Sequence, residues 1–197
     1  MKTAVILAHP KPGSFCASIA RTCASTLRDL GHTVRVRDLY RMDFDPRLQA
    51  GEIPGPAGYA AGKDVAEERA KLARIEAFIL VYPFWFNAPP AILKGYIDRI
   101  FSLGFGYRPT FHGTEPLLLG RTLTSFSTSG APEEWVKQTG ALSGLMAVFD
   151  SHLAAVTGMT VKGHTHLGGV LPSMTPEAAT AMLAQVEAEV RRTFPAA

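Results

Sequence analysis

The 197-residue sequence is short of cysteine, of clustered charge and of long apolar runs, and each shortage excludes a class of protein. Its two cysteines, Cys16 and Cys23, cannot build a disulfide framework, and their seven-residue separation fits neither a redox pair nor a zinc knuckle. A reducing, cytoplasmic setting is the expectation. The longest apolar stretch, Ala77 to Phe86, has ten residues and contains Pro83, so no helical membrane insertion is expected. The opening MKTAVILAHP has too few apolar residues for a secretory signal and its cleavage site. Charged residues make up only 19% of the chain, the net charge is +3, and the densest basic group is Arg35, Arg37 and Arg41. That balance suits an anionic small molecule; nucleic-acid binding would need a concentrated basic stripe. With 18 Gly and 14 Pro, low complexity is excluded too. A single domain over residues 1–197, large enough for a core without covalent staples, is expected.

What is present is an alternation of apolar strands and amphipathic helices. Thr3 to Ala8 is a continuous apolar run of buried-strand type, and from Ser14 a helical pattern places Phe15, Ile19, Cys23, Leu27 and Leu30 on one face, closed by Gly31. Thr33 to Asp38 alternates as a second strand, and Asp43 to Gly62, rich in Pro and Gly, reads as a long loop. Lys63 to Ala73 is a charged helix, Ala77 to Tyr82 the third strand, and Ala91 to Phe101 a helix, followed by a Gly-rich segment from Gly104 to Gly120. Thr122 to Thr128 is the fourth strand. Pro132 to Thr157 reads as helix interrupted at Gly140 and Gly144, and Met159 to Lys162 as a short fifth strand. The last helix is capped by Thr175 with Pro176 in its first turn, and buries Ala179, Met182, Leu183, Val186 and Val190. Five such strands linked by helices predict a doubly wound α/β fold with a five-stranded parallel sheet, whose ligands sit beyond the carboxyl ends of the strands.

Three loops at those ends carry the chemistry. His9-Pro10-Lys11-Pro12-Gly13-Ser14-Phe15 leads into a helix N-terminus, which offers unpaired N–H groups and partial positive charge to a phosphate. Ser14 can offer its hydroxyl, Phe15 and Cys16 their N–H groups and His9 a ring N–H; the ordinary reading of Ser14 is a plain helix cap. No Walker pattern or G-x-G-x-x-G is present, which argues against a nucleoside triphosphatase or an ordinary Rossmann dehydrogenase. The second loop, Tyr82-Pro83-Phe84-Trp85-Phe86-Asn87-Ala88-Pro89-Pro90, is either a rigid aromatic platform for a planar ring or a core cluster. The third, Ser127-Thr128-Ser129-Gly130, offers small polar residues and backbone donors.

The run YPFWFNAPPAILKGYIDRIFSLGFGY, Tyr82 to Tyr107, resembles the flavodoxin-like NAD(P)H:quinone oxidoreductases. The AHPKPGSF start, the STSG segment and Asp38-Leu39-Tyr40 with Phe44-Asp45-Pro46 extend the resemblance to about Gly130. It implies a flavodoxin-like sheet binding FAD or FMN, with His9, Ser14, Phe15 and Cys16 at the phosphates. By the same resemblance Pro83, Phe84, Trp85, Phe86 and Asn87 would line one edge of the flavin, and Ser127, Thr128, Ser129 and Gly130 would bond its other, polar edge. The implied reaction is ping-pong, in which NAD(P)H reduces the flavin and a quinone, azo or nitro compound then takes two electrons. One branch of the family places a tyrosine and, six residues later, a histidine after the glycine loop; this chain has Trp135 and Ala141, which puts that relay in question. Trp135 walls the pocket or packs in the core, and Tyr107 matches a family tyrosine on the side completed by a second subunit. Because five strands and their helices use nearly all the residues, closure of the pocket is expected to come from a homodimer.

Competing readings are weaker. Cys16 and Arg21 are one residue too close for a small phosphatase loop, and a serine hydrolase would need a G-x-S-x-G elbow. His164 and His166, on a loop after the short strand, could ligate a metal with His152, but no Cys or carboxylate cluster accompanies them; surface or dimer-contact histidines are expected, and no metal. A regulatory flavodoxin-like subunit of an ion-efflux system is the alternative function.

Overall fold

The computed structural model describes residues 1–197 except Ala57 and His112. In chain order the elements are β1 (Lys2–Leu7), α1 (Phe15–Asp29), β2 (Thr33–Asp38), a single 3-10 turn (Ala50–Glu52), α2 (Lys63–Leu72), β3 (Ala77–Pro83) and α3 (Ala91–Ile100). Then come β4 (Tyr107–Thr110), β5 (Gly113–Pro116), β6 (Thr122–Thr128), α4 (Glu133–Gln138), α5 (Ala141–Leu145), a π-helical turn (Met146–Ser151), α6 (His152–Thr157), β7 (Thr160–Leu167) and α7 (Pro176–Thr193). Five parallel strands form the sheet in the order β2-β1-β3-β6-β7. The order reverses between β1 and β3, and the crevice outside their carboxyl ends is where such sheets bind ligands.

Alternation along the central strands builds two cores. Val5, Leu7, Ile79, Val81 and Phe126 face α1 and α7, packing on Ile19, Leu27, Val186 and Val190. Ala4, Ile6, Phe78, Leu80 and Tyr82 face the other way, against Val65, Leu72, Leu93, Ile100 and Leu153. Burial on both faces explains why these strands are continuous apolar runs; each fully buried large aliphatic contributes about 1.5–3 kcal/mol. The long loop after β2 is tied down by Arg99, whose guanidinium is buried against both Glu52 oxygens at 2.8 and 2.7 Å and donates to the Asp45 carbonyl at 2.7 Å. It also meets Asp64 at 2.6 Å.

Three elements differ from the sequence reading. The Gly104 to Gly120 segment contains the antiparallel hairpin β4–β5, hidden because its residues are exposed and polar rather than alternating. The helical stretch breaks at Gly140, which adopts φ +75°, but continues through Gly144 and is next irregular at the π-helical turn. The fifth strand begins at Thr160 and extends to Leu167, well past Lys162. A bulge in it changes which residues are buried: Leu123 pairs with Val161 and Thr124 with Gly163, so Lys162 is the extra residue. Val161 faces the α2–α6 side, and the extra residue turns His164 and His166 onto that side, where Gly163 and Thr165 would otherwise lie.

Candidate functional site

The three loops converge at the crevice. Ala8 N–H donates to the Val81 carbonyl at 2.9 Å, and Phe84 N–H to the Thr128 carbonyl at 2.6 Å, so the chain ends of β1, β3 and β6 are laced together. The His9 and Trp85 rings lie 5.7 Å apart, and Cys16 Sγ lies 3.3 Å from Thr128 Oγ1.

In the first loop Ser14 caps α1, its hydroxyl accepting from Ala17 N–H at 3.2 Å. The ordinary reading of its side chain therefore holds, and what remains for an anion are the N–H groups of Phe15 and Cys16, which meet no acceptor from another residue among the described residues. No acidic residue stands in the first turn to oppose an anion. The Cys16 side chain is buried, and burial pushes its thiol up to about 11, so it is an inert core residue rather than a nucleophile. His9 Nδ1 accepts from Lys11 N–H at 3.0 Å, which leaves Nε2–H as the ring donor; burial holds its pKa below the usual histidine range.

The second loop divides its aromatics between the two readings. Phe84 is buried with its ring 5.7 Å from that of His166, so it is core rather than platform. Trp85 and Ala88 exchange two backbone hydrogen bonds of 3.0 Å around Phe86 and Asn87, which adopt φ +49° and +57°. That two-residue turn of type I′ geometry leaves Trp85 45% exposed and projects Phe86 fully into solvent. Its tip N–H groups, those of Phe86 and Asn87, have no partner among the described residues.

In the third loop the Ser127 and Thr128 side chains turn inward, Thr128 to Cys16 and Ser127 to two histidines. Ser129 N–H is bonded to the Leu167 carbonyl, so the groups left at the cleft are the half-buried Ser129 hydroxyl and the Gly130 N–H. A Cβ at Gly130 would lie 3.2 Å from Leu171 Cδ2, so a side chain there is crowded.

Behind this loop stands a hydrogen-bonded chain that hydrophobic patterning missed. Ser125 Oγ donates to Asp150 Oδ1 at 2.7 Å, Asp150 Oδ2 meets His164 Nδ1 at 2.5 Å, and His164 Nε2 meets Ser127 Oγ at 2.7 Å. Ser127 Oγ meets His166 Nδ1 at 2.8 Å, His166 Nε2 meets Ser129 Oγ at 2.9 Å, and Ser129 Oγ donates to the Ala131 carbonyl at 2.9 Å. His164 and Asp150 are buried, and burial, assisted by the neighbouring His164, lowers the His166 pKa to about 4. These histidines are therefore neither surface nor loop residues. Their signal in the sequence is a matched period of two, Ser125-x-Ser127-x-Ser129 beside His164-x-His166.

The remaining candidates lie apart from the three loops. Trp135 is 53% exposed on α4, whose buried residue is Val136, so it is not core. Tyr107 lines a groove of about 240 Å³ with Lys94, Asp98, Phe101, Val148 and His152. A larger groove, about 790 Å³, runs along α1 beside Arg21, Arg28 and Arg41 and touches the first loop only at Pro12. His152 is in the Tyr107 groove, and no group of three or more metal-ligating side chains is found among the described residues. No described helix is long and apolar enough to cross a membrane.

The family model for a flavodoxin-like fold matches residues 1–192. An uncharacterised NAD(P)H oxidoreductase of Haemophilus influenzae is 33% identical over 141 residues, 71% of this chain and 70% of that protein. The ribosyldihydronicotinamide dehydrogenase [quinone] of Rattus norvegicus is 32% identical over 154 residues, 69% of this chain and 67% of that one. Among solved structures, the NAD(P)H:quinone oxidoreductase of Methanothermobacter marburgensis superposes with a TM-score of 0.83 at 28% identity, covering 98% of this chain and 95% of the other.

Proposed function

The chain belongs to the flavodoxin-like-fold family, and from that premise we propose that it is a flavin-dependent NAD(P)H:quinone oxidoreductase. The observation that carries the reading is the convergence of a helix N-terminus with unpaired N–H groups, an aromatic turn and a small polar loop at one switch-point crevice. Each suits one part of a flavin: an anion, a planar ring and a polar ring edge. The relatives matched in sequence and structure are named as oxidoreductases, and no observation favours the regulatory alternative.

The residues fit the group. Phe15 and Cys16 N–H would hold its phosphate, joined by His9 Nε2–H; Trp85, Phe86 and Asn87 would border the ring, and Ser129 and Gly130 would face its polar edge. When bound, the flavin supplies two-electron hydride chemistry between NAD(P)H and a quinone. The protein's part is positional and electrostatic: the laced loops hold donors rigidly, and the aromatic turn excludes water from one side. Phe86 is an apolar side chain left wholly in solvent by one chain, and Val148, lining the Tyr107 groove, is largely exposed. Covering them in a homodimer, which would also close the crevice, is part of the proposal.

The test is direct. Purified protein incubated with FAD or FMN should stay yellow after desalting, lose Trp fluorescence on binding, bleach anaerobically with NADH or NADPH, and regain colour with a benzoquinone. Protein that takes up neither flavin and does not oxidise NAD(P)H overturns the reading; mass spectrometry of the released group identifies which flavin is held.

A further inference from the structure

Two-electron reduction of a quinone to a hydroquinone takes one hydride and one proton: NAD(P)H + quinone + H⁺ gives NAD(P)⁺ + hydroquinone. The hydride comes from the nicotinamide, and the proton needs a separate donor. The positions where a branch of the family keeps a tyrosine and a histidine hold Trp135 and Ala141, and Trp135 lies on the exposed face of α4.

The buried chain from Asp150 to Ser129 has a polarity fixed at its open end. Ser129 has one hydroxyl proton and donates it to the Ala131 carbonyl, so toward His166 it can only accept. His166 Nε2 therefore carries a proton. Its Nδ1 is bare, because this histidine is held neutral by burial, and accepts from Ser127 Oγ–H. Ser127, its proton committed, accepts from His164 Nε2–H. His164 Nδ1 and Asp150 Oδ2, 2.5 Å apart, then share one further proton, whichever of the two atoms it rests on. The pair thus carries no net charge, which is the form a fully buried site tolerates. Ser125 satisfies the second carboxylate oxygen.

We propose that Asp150, His164, Ser127, His166 and Ser129 form a proton wire that stores one proton on the buried His164–Asp150 pair and delivers it to the reduced quinone at Ser129. Delivery is one concerted reversal. The Ser129 hydroxyl proton leaves to the acceptor, His166 Nε2–H passes to Ser129, Ser127 O–H to His166 Nδ1, and His164 Nε2–H to Ser127. His164 keeps its Nδ1–H, now donated to an ionised Asp150, and the one hydrogen bond given up is that from Ser129 to the Ala131 carbonyl. One proton has left, no electrons have moved, and solvent restores the proton between turnovers. The charged and titratable groups around the wire are Glu133 and Lys137 of α4 near His166, and Tyr82 of β3, whose ring lies 6.2 Å from that of His164. Asp150 and His164 are positioning and storage residues; Ser129 is the residue that would touch the reacting atoms.

The inference rests on the flavin and quinone reading of the cleft, but its first test does not. Two-bond ¹H–¹⁵N spectra of the flavin-free protein at neutral pH should show His166 as the Nε2–H tautomer and His164 protonated at Nε2. A His166 carrying Nδ1–H would mean the opposite polarity and overturn the wire even if the protein proves to be a quinone reductase. The second test uses Asp150→Asn, which keeps a donor to His164 Nδ1 but carries no transferable proton. In the flavin-loaded protein at about pH 8, reoxidation by quinone should slow at least about tenfold more than bleaching by NAD(P)H, the scale of a lost general acid. The deficit should close as pH falls toward 6. Equal slowing of both half-reactions, with no pH dependence, would show a merely structural role and overturn the proposal.

Discussion

A Cβ at Gly95 in α3 would stand 2.2 Å from the carbonyl oxygen of Pro46. The loop after β2 rests on the helix backbone itself, which is why a glycine sits in the middle of a helix. Replacing a mid-helix glycine by alanine ordinarily gains about 1 kcal/mol. Here Gly95→Ala should instead destabilise the protein by about 2 kcal/mol or more, because backbone cannot move aside cheaply. Urea unfolding that shows the variant as stable as wild type would mean that the loop does not rest there in solution.

Glu52 and Arg99 hold the same loop from beneath. Glu52→Gln leaves the buried guanidinium with Asp64 alone among the acids, and a loss of about 2–4 kcal/mol is expected. Hydrogen bonds from Arg99 keep the Glu52 carboxyl below the usual range. A depressed carboxylate stabilises the fold above its unfolded pKa and loses that contribution as pH falls through its folded value. The gap between variant and wild type should therefore narrow in acid; a constant gap from neutral pH to acid would contradict the linkage.

His166 imposes a slope of a different origin. Its folded pKa is lowered to about 4 while the unfolded chain takes its proton near 6.5, so the unfolded state binds more protons between these values. Stability falls as pH drops through that window, by on the order of 2–3 kcal/mol. His166→Gln should remove this component, and its deficit against wild type should shrink by about that amount between pH 7 and pH 4 in chemical denaturation.

Phe86 is a non-glycine residue at positive φ with no packing to compensate. Phe86→Gly should raise stability by about 0.5–1 kcal/mol, since the left-handed conformation costs a side chain roughly 1–2 kcal/mol and glycine gives back part of that in chain entropy. The same change should weaken flavin retention and dimer formation, read by equilibrium dialysis and sedimentation. Lower stability together with unchanged binding would show that the residue serves the turn rather than the site.

The sheet was legible because its central strands are buried on both faces and every crossover helix carries its own apolar stripe. Ser14, Thr175 and Gly31 marked helix ends for reasons internal to a few residues. The hairpin β4–β5 was not legible, since an exposed pair of strands has no need to alternate. The end of β7 was lost for the opposite reason: His164 and His166 are buried by hydrogen bonding, which hydrophobic periodicity does not register. Within the site, the loops were identified by position, but only the structure separates Phe84, facing the core, from Trp85 and Phe86, facing the cleft. It likewise separates the side chains of Ser127 and Thr128, buried against their partners, from the half-buried Ser129 hydroxyl and the exposed Gly130 at the loop's outer end.

The bulge at Lys162 makes the storage end of the wire a matter of strand register. Deleting that residue would leave Val161 opposite Leu123, Gly163 opposite Thr124 and His164 opposite Ser125, so the histidines would keep their side; keeping Lys162 but drawing it into regular pairing would instead present Gly163 and Thr165 there and carry His164 and His166 to the α7 side. Asp150 would then be a buried carboxylate with Ser125 as its one remaining partner in the chain. The histidines therefore meet the aspartate because the extra residue is left out of the ladder, and not because it is present.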